Sequence, residues 1–173
     1  MIAGARVAAY LESRDVACAL IGGAALGAHG IARSTLDTDL LVADPAVLAP
    51  EFWRDFTDLG TPEVRRGDAD DPLLGMVRFA AAVEPVDVIV GRPPWTQRLL
   101  ERRERIAVQG QSLAVVDAAD LVLLKLFAGG PQDLLDVRLL LAAGAPRLRK
   151  AVEDRLDEAP ASVRAQWRTL RTE

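Results

Sequence analysis

Cysteine is almost missing from this chain: Cys18 is the only one in 173 residues, which excludes an internal disulfide and a cysteine-ligated zinc site. Histidine is equally scarce. A Ser-His-Asp or Cys-His catalytic set would have to use His29, whose place on a short helix after a glycine pair reads as structural. Lysine occurs only at Lys125 and Lys150, the other 19 of 21 cationic residues being arginine, so a lysine in an apolar setting stands out. No charge of one sign dominates either: 21 cations against 25 anions give −4, which argues against a protein that coats nucleic acid nonspecifically but allows a local basic groove. Long apolar runs are lacking. The longest uncharged stretch, Val16 to Ala32, has 17 residues, four glycines and His29, and reads as strand, turn and helix rather than a membrane span. Arg6, Glu12 and Arg14 interrupt the region where an export signal needs unbroken apolar residues, so a cytoplasmic location is expected. Aromatics make up 5%, and Trp53, Trp95 and Trp167 are expected as core or interface anchors rather than base-stacking platforms.

What is present is the composition of one soluble globular domain: half the residues are hydrophobic and 27% charged. At this length a chain buries roughly 70% of the surface it exposes unfolded. Val7, Tyr10, Leu11 and Arg14 have helical spacing, Ala17 to Ile21 reads as a buried strand, and Ala24 to His29 as a short helix. Thr35 to Val42 is predicted as a strand, Pro45 to Leu59 as a helix stopped by Gly60, and residues 67–72 as a loop. Met76 to Val83 and Val86 to Val90 form a predicted hairpin broken at Glu84-Pro85. A helix over Trp95 to Arg105 and an extended pair around Gly110-Gln111 follow. From Asp117 on the pattern is helical: Asp117 to Phe127, Asp133 to Leu141, and two amphipathic helices through Leu148, Val152, Leu156 and through Val163, Trp167, Leu170.

Three features point to chemistry. Gly22-Gly23 at a strand-to-helix turn lets the backbone approach a phosphate closely, with helix N–H groups behind it. Asp37 and Asp39, two apart on a predicted strand, share one face. Asp87 sits among Val86, Val88 and Ile89, where a carboxylate is costly to bury unless paired or metal-bound. Oxygen-only ligands suit Mg²⁺ (or Mn²⁺), and such a cluster can hold two ions. Plain turns and solvated surface acids are the bland alternative for each feature taken singly. A Gly-x-Gly-x-x-Gly fingerprint fails at Ala24, and no Gly-Lys-Ser/Thr follows the turn.

The stretch Leu20-Ile-Gly-Gly, continuing through Arg33-Ser-Thr-Leu-Asp-Thr-Asp39 to Val42, resembles the opening motif of the polymerase-beta-like nucleotidyltransferases, and most closely the branch found as toxins in toxin–antitoxin pairs and abortive infection. The branch's later Lys and Asp-x-x-Asp element is matched by Lys125 and by Gln132-Asp-Leu-Leu-Asp-Val137, so the resemblance runs from about Leu20 to Val137. It implies an α/β (α+β) nucleotidyltransferase fold: a small mixed twisted sheet flanked by helices. Residues 1–116 would form the catalytic core, and 117–173 a C-terminal helical subdomain packed on it. Implied roles follow the motif: Gly22, Gly23, Arg33, Thr35 and Lys125 for the nucleotide, Asp37, Asp39 and Asp87 for the metals, and Lys125 and Asp133 in catalysis. The implied substrates are an NTP and an acceptor hydroxyl on a tRNA 3′ end or a protein, with a cognate toxin or antitoxin as partner and no membrane. Gly130 and Gln132 depart from the family, which often has a basic residue there. That departure supports the rival of a catalytically inactive antitoxin or binding module; a dinucleotide-binding oxidoreductase has only the glycine turn in its favour.

Overall fold

The computed structural model describes residues 2–172 apart from 34, 36 and 81–83. Helix α1 (Ile2–Ser13) leads into β1 (Cys18–Ile21), and Gly22 turns the chain directly into α2 (Gly22–Ala28). Strand β2 (Thr38–Val42) runs back antiparallel to β1, pairing Ile21 with Asp39. After β3 (Glu63–Arg66), β4 (Leu73–Phe79) and β5 (Val86–Gly91) come α3 (Trp95–Glu101), β6 (Glu104–Val108) and β7 (Gln111–Val115). Three helices end the chain: α4 (Ala118–Ala128), α5 (Pro131–Arg155) and α6 (Ala161–Thr172).

The strands form one seven-stranded mixed sheet in the order β3-β4-β5-β2-β1-β7-β6, with β2/β5 and β1/β7 parallel and the other pairs antiparallel. Side-chain alternation divides its chemistry. Leu20, Leu40, Val88 and Val77 are buried in one row across β1, β2, β5 and β4. That face carries α1, where Gly4 packs so tightly on Thr38 that a Cβ would stand 2.4 Å from its methyl. It also carries an aromatic cluster of Tyr10, Phe52, Trp53, Phe56 and Phe79. Asp39, Leu41, Asp87 and Ile89 belong to the opposite face, across a cavity from α4.

Several boundaries differ from the sequence reading, for local reasons. The expected helix over Pro45 to Leu59 is two 3-10 turns, Pro45–Leu48 and Pro50–Trp53, because Pro50 holds Ala49 extended at ψ 127° and cannot donate to a continuous ladder. The strand expected from Thr35 begins at Thr38: Asp37 lies in a bend, its Oδ1 accepting from the Thr35 hydroxyl at 2.7 Å, and positions 34 and 36 lie outside the described residues. The hairpin at Glu84-Pro85 forms with β4 ending at Phe79, and 81–83 again lie outside the described residues. The helix expected to reach Arg105 stops at Glu101, since Glu104 to Val108 pairs with β7. Strand β3, with three exposed charges in four residues, has no apolar alternation to announce it. The two helices expected on either side of Pro146 are one, α5, because Val137, Leu140 and Val152 are all buried by the same packing.

A buried ion network fastens these helices together. Asp120 is fully buried and receives two hydrogen bonds from Arg102, at 2.7 and 3.0 Å; Arg155 reaches both Asp120 and the α4 cap Asp117, and Arg102 also holds Glu158. Removing one partner strands buried charge. Asp120→Ala is therefore expected to lose about 3–5 kcal/mol of stability, read as a lower midpoint in urea unfolding; an unchanged midpoint would show that the network is not a fastener.

Candidate active site

The parallel pairing of β2 with β5 puts Asp39 directly beside Asp87 on one sheet face. Asp37, in the bend just before β2, completes a group whose carboxylate oxygens lie within 4.8 Å of one another. The β1–α2 turn closes on this group from the side. Gly22 has φ +65°, and a Cβ there would stand 2.0 Å from Asp39 Oδ2, so the position requires glycine both for its backbone angle and for space. A Cβ added at Gly23 would stand 3.0 Å from the Cβ of Thr35, a tighter approach than ordinary packing.

Three carboxylates this close repel one another in the absence of a cation. Burial, followed by the charges of Asp37 and Asp87, pushes the Asp39 carboxyl up to about 6. Burial also raises Asp87, against the pull of Arg78, whose guanidinium lies 3.2 Å from Asp87 Oδ2. The other oxygen, Asp87 Oδ1, is buried and has no hydrogen-bond partner. An orphaned carboxylate oxygen inside an all-oxygen cluster is what a divalent cation satisfies, and the donor set fits a hard ion.

Lys125 comes from α4 and is 8% exposed. Its ammonium lies 2.8 Å from Asp133 Oδ1 and 2.9 Å from Asp136 Oδ2. Asp136 is buried and also takes the guanidinium of Arg33. Burial alone would raise its carboxyl, but hydrogen bonds from Lys125, Gln132 and Arg33 override that and hold it below the ordinary value. The sequence reading thus placed Lys125 and Asp133 together but gave no role to Asp136, although it is the second acid of the quoted Asp-x-x-Asp element. Arg78 was also missed; only the register of β4 on β5 identifies it.

A cavity of about 770 Å³ opens beside these groups, reaching Gly22, Asp39, Lys125 and Asp133 at one end. His29 stands apart: its Nε2 lies 2.8 Å from the Val116 carbonyl, a structural hydrogen bond. Cys18 is buried, and burial, aided by Glu12, pushes its thiol up to about 12, which removes it as a nucleophile. Of the tryptophans, Trp53 and Trp167 are core residues and Trp95 lines the cavity.

No family model matches the chain, and no curated protein matches it by sequence. Solved structures do. The antibiotic-resistance factor ANT(2'')-Ia superposes with a TM-score of 0.58 at 12% identity over 95% of this chain and 90% of that one. The fold is that of the nucleotidyltransferases. A candidate nucleotidyltransferase from Thermotoga maritima gives 0.56 at 13% identity over 79% and 89%. An antigenic nucleotidyltransferase-like protein from Paracoccidioides brasiliensis gives 0.53 at 16% over 95% and 91%. ANT(2'')-Ia is also known in complex with adenylyl-2''-tobramycin, at 0.56 and 14% over 86% and 93%. Within this nucleotidyltransferase fold, Asp37, Asp39 and Asp87 are three close acids that could hold a divalent metal. No helix of the described residues is long and apolar enough to cross a membrane.

The charge arrangement sets a stability signature. A carboxyl raised from the ordinary carboxylate range to about 6 makes the folded state bind more protons than the unfolded one, so the metal-free protein loses stability as pH rises from about 4 to 6. Asp39→Asn is expected to raise the melting temperature of the metal-free protein at pH 7, to flatten that decline, and to remove the shift produced by millimolar Mg²⁺. A variant with a lower melting temperature and an intact Mg²⁺ shift would contradict the assignment.

Proposed function

We propose that the chain is a metal-dependent nucleotidyltransferase, moving a nucleoside monophosphate from an NTP to an acceptor hydroxyl and releasing pyrophosphate. One observation carries the reading: three carboxylates converge beside Gly22 and the Asp133-bound Lys125 in a nucleotidyltransferase fold. Asp37 and Asp39 would hold Mg²⁺ or Mn²⁺, with Asp87 as the third ligand. Such an ion supplies charge neutralisation at the α-phosphate and acidifies the attacking hydroxyl when bound.

The remaining work belongs to the chain. Gly22 and Gly23 leave open backbone for the phosphates, with Arg33 and Thr35 alongside. Lys125 supplies a compact positive charge that Asp133 and Asp136 hold in one position, so that little reorganisation is needed when the triphosphate arrives. Asp87 Oδ1, lacking another partner, is the group available to the acceptor hydroxyl or its ion. The acceptor oxygen bonds to the α-phosphorus, the bond to the bridging oxygen breaks, and the hydroxyl proton leaves to solvent. Residues 1–116 would carry this chemistry and 117–173 would close over the nucleotide.

The motif resemblance supports a finer reading, a toxin–antitoxin component whose acceptor is a tRNA 3′ end or a protein hydroxyl. The rival of an inactive binding module gains one observation, since Lys125 and Arg33 are both already paired with carboxylates. The oxidoreductase reading loses its footing, because a mixed sheet with β1 antiparallel to β2 is not the parallel sheet that dinucleotide binding uses.

Two measurements separate these readings. Transfer of α-labelled nucleotide into a cell extract is expected to require a divalent cation and to vanish in Asp87→Ala while nucleotide binding persists; labelling that survives excess EDTA would overturn the reading. Lys125→Ala is expected to raise the NTP dissociation constant in calorimetry by about tenfold or more, given ~1.5–3 kcal/mol for a charge-assisted hydrogen bond, with only partial rescue by Lys125→Arg. Unchanged affinity would return Lys125 to a packing role.

A further inference from the structure

Beyond the acids, the cavity changes character. Its floor is Leu41 and Ile89 from the sheet, and its roof is Leu121, Leu124 and Phe127 from α4, with Trp95 as a side wall packed edge-on against Phe127 at 5.2 Å. The indole N–H of Trp95 is buried away from solvent, so the cavity meets ring carbons rather than a donor. The polar groups that do reach the cavity are largely committed elsewhere. Lys125 and Asp133 hold each other at 2.8 Å, and Arg92 donates to the carbonyls of Asp71 and Asp68 at 2.7 and 2.6 Å. The Thr96 hydroxyl donates to the Arg92 carbonyl. Asp39, the remaining carboxylate on the wall, belongs to the acid cluster.

This distribution excludes two kinds of acceptor by charge. A polyamine-like sugar needs uncommitted carboxylates around its ammonium groups, and a nucleic acid needs uncommitted cations along its phosphates. The wall offers neither in number: its carboxylates are Asp39, in the acid cluster, and Asp133, on Lys125, and its one cation beyond Lys125 is Arg92, a single charge anchored on two backbone carbonyls rather than a row that could track a phosphate backbone. A volume of about 770 Å³ with mainly apolar walls, where Arg92, Thr96 and Ser162 are the polar lining outside the group of Asp39, Lys125 and Asp133, is the form of a site for a compact organic molecule.

We propose that this chamber is the acceptor site and that its acceptor is a small uncharged molecule with an apolar, ring-containing body and one hydroxyl directed at the acid cluster. The proposal rests on the nucleotidyl-transfer reading and narrows it. The apolar body fills the space between Leu41, Ile89 and Leu124 and excludes water from the acids. Its hydroxyl reaches the Asp39–Asp87 end. There the oxygen bonds to the α-phosphorus of the NTP, pyrophosphate leaves with the electrons of the broken bond, and the hydroxyl proton is held on the Asp39–Asp87 carboxylates until product release returns it to solvent.

The test uses 2-(2-naphthyl)ethanol as the probe alcohol, with tobramycin and an oligoadenylate RNA as charged counterparts. Calorimetry with Mg²⁺ present is expected to show the alcohol binding to the wild-type protein, with at least tenfold weaker binding to Leu124→Glu, which places a carboxylate in the apolar roof. Phe127→Ala, a milder change, is expected to weaken it about threefold or more, and the Mg²⁺ melting shift of both variants should match wild type. With α-labelled NTP, label is expected on the alcohol and on neither counterpart. Label on tobramycin or the RNA without alcohol binding would overturn the proposal while sparing the nucleotidyl-transfer reading. Displacement of the alcohol by free adenosine would also overturn it, by assigning the chamber to the nucleobase. Alcohol binding that depends on Leu124, together with no label on any acceptor and no Mg²⁺-dependent NTP binding, would support the chamber's ligand class and defeat the nucleotidyl-transfer reading instead.

Discussion

The cost of burying Asp39 and Asp87 beside Asp37, with the repulsion among the three added to it, is the constraint around which the site is organised. Acids with oxygens within 4.8 Å of each other, one of them buried and half-orphaned, work against folding in the absence of a cation. The surrounding structure holds them regardless. The β2–β5 register fixes Asp39 beside Asp87, a hydroxyl bond from Thr35 fixes Asp37, and Gly22 removes the one atom that would push Asp39 aside. Arg78 offsets part of the charge, and the hydrophobic face beneath the sheet supplies stability that the acid face does not. Functional sites commonly store destabilisation of this kind, which the ligand then relieves.

Much of the site was legible in the sequence because its chemistry is local. A glycine pair between a strand and a helix, two aspartates two residues apart and an aspartate within a valine-rich strand each break the pattern of their element, and a broken pattern can be read without a structure. The pairing of Lys125 with Asp133 was also accessible, since the two lie eight residues apart across the short Gly129-Gly130 turn between α4 and α5. What escaped was set by register and by tertiary contact. Arg78 reaches Asp87 only because β4 lies antiparallel to β5, and Asp136 gains its importance from tertiary contact with Lys125 and the distant Arg33.

The fold followed the same division. Buried strands and the helix expected from Asp117 to Phe127 were readable: Asp117 caps α4, and Gly129, with φ +67°, ends it. Strand β3 was not readable, because an edge strand with exposed Glu63, Arg65 and Arg66 has no apolar alternation. The continuity of α5 through Pro146 was equally hidden, because burial on both sides of the proline decides it.

The central claim is that the acid cluster is a divalent-metal site serving a nucleotide, and electron paramagnetic resonance of Mn²⁺ tests it most directly. Titrating Mn²⁺ into the protein with and without a non-hydrolysable NTP analogue reports free and bound ion separately. The account expects bound Mn²⁺ that tightens when the nucleotide is added and disappears when Asp37 and Asp39 are both changed to asparagine. A free-ion signal undiminished by the wild-type protein at millimolar Mn²⁺, with nucleotide present, would contradict it.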